Sequence, residues 1–110
     1  MRFVILLYGD EAAEAALPPE ELRGIVEQHR ALSRRLAEEG RLVAGEGLGP
    51  SHTATTVRDG VVSDGPFAEA REQLGGLYII ECADLDEALA VAKQIPRSPG
   101  LAVELRPAFA

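Results

Sequence analysis

The sequence has few of the residues that disulfide-bonded, zinc-binding and nucleic-acid-binding proteins need. Its 110 residues include one cysteine, two histidines, two tyrosines, three phenylalanines and no tryptophan. A single cysteine, Cys82, cannot form an internal disulfide, which is typical of a reducing compartment, and we expect the cytoplasm. Two scattered histidines and one cysteine do not make a zinc motif, so we expect no metal and no cofactor. An aromatic platform for stacking single-stranded nucleic acid is missing as well.

Positive charge and long apolar runs are also scarce. The chain has 11 lysines and arginines against 18 aspartates and glutamates, a net charge of −7, which argues against direct nucleic-acid binding. No apolar run approaches the roughly 20 residues of a membrane span, and the first residues lack the features of a signal peptide. The length of 110 residues and the 46% hydrophobic content indicate one globular domain over residues 1–110.

The residues that are present predict an alternation of strands and helices. Apolar runs and turn signals place strands over Arg2–Tyr8, Arg41–Leu48, Thr53–Arg58, Val61–Val62, Leu74–Cys82 and Val103–Leu105, and helices over Pro18–Glu39 and from Asp84 to Pro96. Glu11–Leu17 is interpreted as an acidic connection. The predicted buried stripes are Leu22, Ile25, Val26, Leu32 and Leu36 in the first helix, and Leu85, Ala88, Leu89, Ala92 and Ile95 in the second.

The order of these elements is β-α-β, a hairpin at Asp59-Gly60, then β-α-β. Helical crossovers place the two strands of each unit parallel, as in a ferredoxin-like α+β sandwich with an inserted β-hairpin. Two helices cover one face of such a sheet. The runs Phe3–Tyr8 and Leu77–Ile80 are apolar on both faces, so the second face needs a partner. We therefore predict a homodimer whose two sheets pack face to face.

The most distinctive stretch begins at Asp64-Gly65-Pro66-Phe67. Gly65-Pro66 is a strong turn signal, and the Asp64 carboxylate precedes it. The residues after Phe67, up to Gln73, are expected to make one or two helical turns that end at Gly75-Gly76. A rigid turn that carries an acid is a common way to present binding residues, although an aspartate that only caps the next turn is the alternative.

The run from Asp64 to Glu81, DGPFAEAREQLGGLYIIE, resembles the signature of the DGPF-domain proteins, a branch of the YCII-related family. The resemblance extends over nearly the whole chain and in the right order, through Phe3–Glu11, Glu46–Leu48, Ala54–Arg58, Asp84–Ala88 and Val103–Pro107. It implies the fold of the dimeric α+β barrels.

His29 is the strongest candidate for a functional side chain. It falls on the apolar stripe of the first helix, where a histidine is more often a core residue with satisfied ring nitrogens. The resemblance implies another role, because a histidine eleven residues before a glycine is similar to the proposed base of YCII-related proteins, and His29 stands eleven before Gly40. The resemblance also implies an aspartate partner, for which Asp64 is the candidate. Such a carboxylate would fix the ring tautomer and raise the pKa of the imidazole.

Further residues are predicted to line the same ligand site. Arg71 or the Gly65 backbone would bind negative charge, and Gln73 would contact a polar group. The resemblance implies a lysine in most DGPF proteins at the position of Arg71. Tyr8 would offer a hydroxyl from the end of the first strand. The complete predicted ligand-binding set is Tyr8, Gly65, Pro66, Phe67, Arg71 and Gln73.

Two functions remain open at this level. One is an enzyme that transfers protons on a small organic molecule, as an isomerase or lyase does, with His29 as base and Asp64 orienting it. The other is a non-catalytic module that binds a ligand or a protein. The resemblance implies a link to extracytoplasmic-function sigma factors, and a negative surface suits a basic protein partner.

Overall fold

A four-stranded sheet with helices on one face forms the body of the molecule, and a separate hairpin lies beside it. The computed structural model describes residues 1–109. The elements in chain order are β1 (Arg2–Asp10), α1 (Glu11–Ala15), α2 (Pro19–Glu38), β2 (Leu42–Gly47), a 3-10 turn (Ser51–Thr53), β3 (Thr55–Arg58), β4 (Val61–Asp64), β5 (Glu72–Glu81), α3 (Leu85–Ala92) and β6 (Ala102–Pro107).

The main sheet has the strand order β2-β5-β1-β6, and each neighbouring pair is antiparallel. It follows that β1 and β2 are parallel to each other on either side of β5. In the same way, β5 and β6 are parallel on either side of β1. This α+β architecture is consistent with the predicted ferredoxin-like fold.

The core lies between the sheet and the helices α2 and α3. Inward-facing side chains of β1 and β5 meet the helices there, and the buried hydrophobic residues are Phe3, Ile5, Leu32, Leu36, Tyr78, Ile80, Cys82, Ala88, Val91, Ala92 and Ile95. Leu32 and Leu36, in the second half of α2, are buried. Leu22 and Val26, in its first half, keep 44% and 43% of their surface exposed. The predicted stripe of α2 therefore reaches the core only in its second half.

The buried face of α3 differs in part from the prediction. Ala88 and Ala92 face the core as expected, but Val91 joins them, whereas Leu85 and Leu89 are exposed. The prediction of a buried Leu85 and Leu89 is wrong. Because alanines are small, they let this eight-residue helix approach the sheet closely, and the larger leucines point away from it.

The face of the main sheet opposite the helices has no covering layer among residues 1–109. Val4 and Leu6 alternate with the buried Phe3 and Ile5, so they project from that face, where Ile79 and Leu77 lie directly opposite them. The molecule measures 39 × 39 × 18 Å. Its radius of gyration is 15.0 Å, whereas a compact chain of this length has a radius of about 13 Å. The molecule is thus flat, with an apolar sheet face on its surface.

The hairpin of β3 and β4 is confirmed and stands apart from the main sheet. Asp59 and Gly60 both have positive φ angles, as a type I′ turn requires. Val57, Val61 and Val62 on its two strands are 64%, 67% and 65% exposed. The hairpin therefore presents apolar side chains to solvent.

Two short segments differ from the predictions. The helix expected between Phe67 and Gln73 is absent, because Gln73 pairs with Gly9 in the main sheet and its amide donates hydrogen bonds to the carbonyls of Ala68 (3.2 Å) and Ala70 (2.9 Å). Gly75 and Gly76 lie inside β5 and do not end a helix. Part of the expected connection Glu11–Leu17 is instead helix α1. No helix within residues 1–109 is both long enough and apolar enough to cross a membrane.

Candidate functional site

A groove runs along the ends of β1 and β5, and it consists of two clefts that share a wall. The inner cleft, of about 640 Å³, lies between α1 and the first half of α2, and its lining includes His29, Glu14 and Tyr8. The outer cleft, of about 630 Å³, lies toward the hairpin and is bordered by Asp64 and Arg71. The residues common to both linings are Glu11, Ala12, His52 and Gln73.

His29 is held from behind by a tyrosine of the central sheet. Its Nδ1 atom lies 2.7 Å from the hydroxyl oxygen of Tyr78, and the two rings are stacked with centroids 5.9 Å apart. Tyr78 is buried and projects from β5 toward α2, where the Ser33 side chain lies near the phenol. Because Ser33 follows His29 by four residues, both side chains lie on the same face of α2. The ring of His29 is therefore fixed by packing and by hydrogen bonding.

The other ring nitrogen of His29 is left for a ligand. Nε2 has no hydrogen-bond partner within residues 1–109, and no side-chain nitrogen or oxygen in that range is buried without a partner. Nε2 therefore reaches open space in the inner cleft. A phenol can donate or accept a hydrogen bond. With Tyr78 as acceptor, Nδ1 carries the proton and Nε2 is a base; with Tyr78 as donor, Nε2 carries the proton.

Burial acts on both members of this pair. It lowers the pKa of His29 below the ordinary 6.5, and it raises the pKa of Tyr78, an effect that the nearby Ser33 side chain opposes. The low-dielectric surroundings disfavour the charged form of each group, so near pH 7 the imidazole and the phenol are both neutral.

The structure does not bring Asp64 to His29. No hydrogen bond or ion pair joins the two side chains in the described chain, and the recorded hydrogen bond of the His29 ring goes to Tyr78, not to the carboxylate that was expected at one ring nitrogen. Asp64 ends β4, in the hairpin that does not join the main sheet, and it is exposed in the outer cleft. The raised pKa expected for His29 is accordingly wrong in direction. Whether either residue acts in catalysis stays a prediction.

The predicted ligand-binding residues are divided between the two clefts. Tyr8 lines the inner cleft, and Gln73 lines both. Gly65, Pro66 and Arg71 line the outer cleft. Phe67 is 70% exposed and contributes to neither lining; the Arg58 guanidinium lies over its ring, 5.2 Å from the centroid.

Arg71 is engaged by an aspartate that sequence reasoning had not assigned to the site. Its Nε donates to Asp10 Oδ2 at 3.0 Å, and its side chain is 81% exposed. Asp10 also caps α1 by accepting a hydrogen bond from the Ala13 backbone nitrogen at 3.1 Å. That bond and then the Arg71 guanidinium lower the pKa of the Asp10 carboxyl. The positive charge of Arg71 is therefore already matched within the chain.

Helix α1 supplies two further carboxylates, Glu11 and Glu14. Glu11 accepts hydrogen bonds from the backbone nitrogen of Ser51 (2.7 Å) and from its hydroxyl, which lower the pKa of Glu11 and tie the loop before β3 to α1. Glu14 lies against Gly9, where any Cβ would collide with the carboxylate. Burial, and then the charges of Glu11 and Asp10, raise the pKa of Glu14.

Besides Asp10, sequence reasoning missed Glu14 and Tyr78 as site residues. The signal for Glu14 was present, because Asp10 before Glu11-Ala12-Ala13-Glu14 is an N-cap followed by an acidic first turn. For Tyr78 the sequence indicated only a position in a strand, because no local sequence pattern shows which helix side chain it contacts. No cluster of three or more His, Cys, Asp or Glu side chains that could hold a metal occurs in the part of the chain that is described.

Comparison with known proteins gives the family. A family model of the YCII-related domain matches residues 1–107. A curated protein of Rhizobium meliloti (strain 1021), itself described only as uncharacterized, is 39% identical over 99 residues, which cover 86% of this chain and 80% of that protein. The family indicated by the Asp64–Glu81 signature is thereby confirmed, and the chain belongs to the YCII-related family.

Proposed function

We propose that the inner cleft binds a small, largely apolar organic molecule and that His29 exchanges a proton with it, as in an isomerase or lyase. One observation carries the proposal. Nδ1 of His29 is held by Tyr78, while Nε2 opens into a cleft of about 640 Å³. Cavities of this size, with mostly apolar walls and a few convergent polar groups, are typical of small-molecule sites.

The protonation states support acid–base chemistry. The lowered pKa of His29 keeps the imidazole neutral, so Nε2 can accept a proton when Tyr78 accepts the hydrogen bond from Nδ1. A neutral imidazole on the wall of a cleft is a base that can take a proton from a bound molecule.

The outer cleft supplies further ligand contacts in this proposal, from Asp64, Gly65, Pro66 and Arg71. They border a space that continues from the inner cleft across Gln73. A ligand longer than the inner cleft would reach these residues, where Asp64 and the Gly65 backbone offer hydrogen-bonding groups. In this proposal these residues contact the ligand, as the sequence predicted, and Asp64 acts on the ligand without orienting His29.

A binding experiment tests the proposal. Fragments that resemble metabolites, neutral and charged, are screened by ligand-observed NMR, and hits are mapped on the amide and His29 ring signals. Val26→Trp should abolish binding, because Val26 lines the inner cleft and is exposed enough to accept a larger side chain. Arg23→Trp, an exposed substitution that borders neither cleft, is the control. Hits that bind equally to both variants would contradict the proposal.

Catalysis is tested separately on the hits that carry an acidic C–H bond. Exchange of that proton with D₂O, followed by NMR, should be faster with the protein than without it, and His29→Gln should remove the acceleration while binding persists. Equal exchange rates with the two proteins would leave a binding cleft without the proposed base.

We also propose that the uncovered sheet face pairs with that of a second copy. Val4, Leu6, Leu77 and Ile79 form its apolar centre. Charged residues of both signs border it, because Glu104 and Arg106 lie opposite Leu6 and Val4, and form an ion pair on β6. A two-fold axis can set the acid of one β6 against the base of the other. The apolar centre and the mixed rim support a homodimer of the dimeric α+β barrel type.

The second candidate function is a protein-binding module of the cytoplasm, linked to extracytoplasmic-function sigma factors. The exposed Val57, Val61 and Val62 of the hairpin favour it, and Phe67, which contacts Arg58 of β3, is exposed as well. Apolar side chains gathered on a protruding hairpin are typical of a surface that binds another protein. Val57→Ser and Val62→Ser in one variant should then abolish partner binding and leave fragment binding in the inner cleft unchanged.

A further inference from the structure

We infer that the inner cleft is selective for an organic amine, a molecule with a hydrocarbon body and one ammonium group. This inference rests on the proposed function of the same cleft and names the class of molecule that the cleft takes. It departs from the expectation that Arg71 binds negative charge, and it follows from where the carboxylates and the apolar side chains lie.

The lining of the groove is strongly biased toward negative charge. The inner cleft has Glu11 and Glu14 but no lysine or arginine among its lining residues in the described chain. The outer cleft adds Asp10, Asp64 and Glu69 against a single guanidinium, that of Arg71, which is paired with Asp10. The negative electrostatic potential of these carboxylates therefore favours a cationic group at either end of the groove.

Glu14 is the carboxylate that is free to bind the ammonium group. Glu11 is already engaged by the nitrogen and hydroxyl of Ser51. The carboxylate of Glu14 has no hydrogen-bond partner within residues 1–109, and none of the side-chain oxygens in that range is buried without a partner, so this carboxylate reaches the open space of the inner cleft. The Glu14 carboxylate lies beside Gly9, in space that a Cβ at residue 9 would take.

The remainder of the lining suits a hydrocarbon. Leu22, Val26 and Leu48 expose 44%, 43% and 47% of their surface around a cleft that also contains Leu7, Ile25 and Leu101. Burying this surface against a ligand would contribute roughly 25 cal/mol per Å². A carboxylate ligand would gain the same contacts, but its charge would face Glu11 and Glu14 with no cation in the inner cleft to offset them. The cleft thus distinguishes ligands by their charged group.

The binding of an amine is expected to depend on pH. The titratable groups that border the inner cleft together with Glu14 are Glu11 of α1, Tyr8 of β1, His29 of α2 and His52 of the 3-10 turn, and Asp10 precedes α1. Burial, and then the charges of Glu11 and Asp10, raise the pKa of Glu14, so its charge is lost at a higher pH than that of an ordinary glutamate. Amine affinity should fall as the pH is lowered through that range, whereas the affinity for a neutral analogue should not.

Three probes of one size separate the possibilities: benzylamine, benzyl alcohol and benzoate. Each is titrated into the protein at pH 7.5 and low salt, and the His29 ring and Val26 amide signals are followed by NMR. Benzylamine should bind about five-fold more tightly than benzyl alcohol, the scale of a partly exposed ion pair, and benzoate more weakly than either. Glu14→Gln should remove the preference for the amine and keep the binding of the alcohol.

Two controls locate the effect at one carboxylate. Glu20→Gln removes the same charge from α2 at a position that borders neither cleft, and it should preserve the preference. Gly9→Ala keeps the charge of Glu14 but displaces the carboxylate, and it should reduce the preference. Equal affinities for amine and alcohol, or tightest binding of benzoate, would overturn the amine selectivity and leave the cleft as a ligand site. Failure of all three probes to move the His29 and Val26 signals would overturn both proposals.

Discussion

At the scale of single residues, the identity of the group behind His29 decides what the imidazole can do. A carboxylate at Nδ1 would stabilise the imidazolium and fix one tautomer, whereas the Tyr78 phenol accepts either tautomer and adds no charge. The place of His29 on the apolar face of α2 could be predicted from sequence. Its partner could not, because Tyr78 lies 49 residues further on, and the face of a strand that meets a given helix is set by the whole fold.

The bond between Tyr78 and His29 is expected to contribute to stability. Tyr78→Phe should lower the free energy of unfolding by about 1 kcal/mol, because the phenol is buried and the ring nitrogen of His29 loses its partner. Tyr8→Phe is the matched control, since the Tyr8 hydroxyl makes no hydrogen bond in the described residues. Urea denaturation of both variants measures the difference. Equal losses in the two variants would contradict a specific role for the Tyr78 hydroxyl.

Glu14 should make stability depend on pH in a direction opposite to that of an ordinary salt-bridged acid. The pKa of Glu14 in the folded protein lies above the unfolded value of 4.5, so the charged carboxylate destabilises the folded state once the pH rises through that range. Glu14→Gln should therefore be more stable than the parent at pH 7, and the difference should vanish below pH 4.5. Thermal unfolding between pH 4 and pH 7.5 tests this, and a Glu14→Gln variant no more stable than the parent at pH 7 would contradict it.

At the scale of elements, long segments with a clear period were predictable and short ones were not. The 20-residue helix α2 and the hairpin at Asp59-Gly60 follow from local patterns. The five residues of α1 are too few to show a period, and their helix depends on the Asp10 cap. Between Phe67 and Gln73 the helical propensity is real, but pairing of Glu72 and Gln73 with β1 extends the chain into β5 instead.

Asp84 caps α3, with its side chain accepting a hydrogen bond from the Glu87 backbone nitrogen at 2.9 Å. Asp84→Ala should reduce the free energy of unfolding by about 1 kcal/mol, as expected for the loss of an N-cap. Asp86→Ala removes the same charge from the first turn without removing a cap, and should cost less. Chemical denaturation of both variants checks the order, and a larger loss for Asp86→Ala would contradict it.

At the scale of the whole molecule, the order of the elements predicted the topology because helical crossovers leave few arrangements open. The sheet order β2-β5-β1-β6 follows that expectation, with the hairpin as an excursion between β2 and β5. The groove could not be predicted, because it arises where the first half of α2 stands away from the sheet. Leu22 and Val26 have the spacing of core residues, yet they line a cleft.

The oligomeric state is also a property of the whole molecule. If the sheet face forms a dimer, Leu6→Glu should produce a monomer, because it places one charge from each copy in the apolar centre. Ala37→Glu adds the same charge on the exposed surface of α2 and should leave the dimer unchanged. Sedimentation velocity measures both, with circular dichroism to show that the fold is retained. A parent protein that sediments as a monomer would contradict the proposed dimer.

The most direct test of the account is an NMR titration of the His29 ring, in the parent protein and in Asp64→Asn. If Tyr78 and burial determine the state of the imidazole, the ring titrates with a pKa below 6.5 and Asp64→Asn leaves that pKa unchanged. A pKa above 6.5 that falls in Asp64→Asn would mean that Asp64 is the partner of His29. It would contradict the assignment of a neutral imidazole that faces the inner cleft.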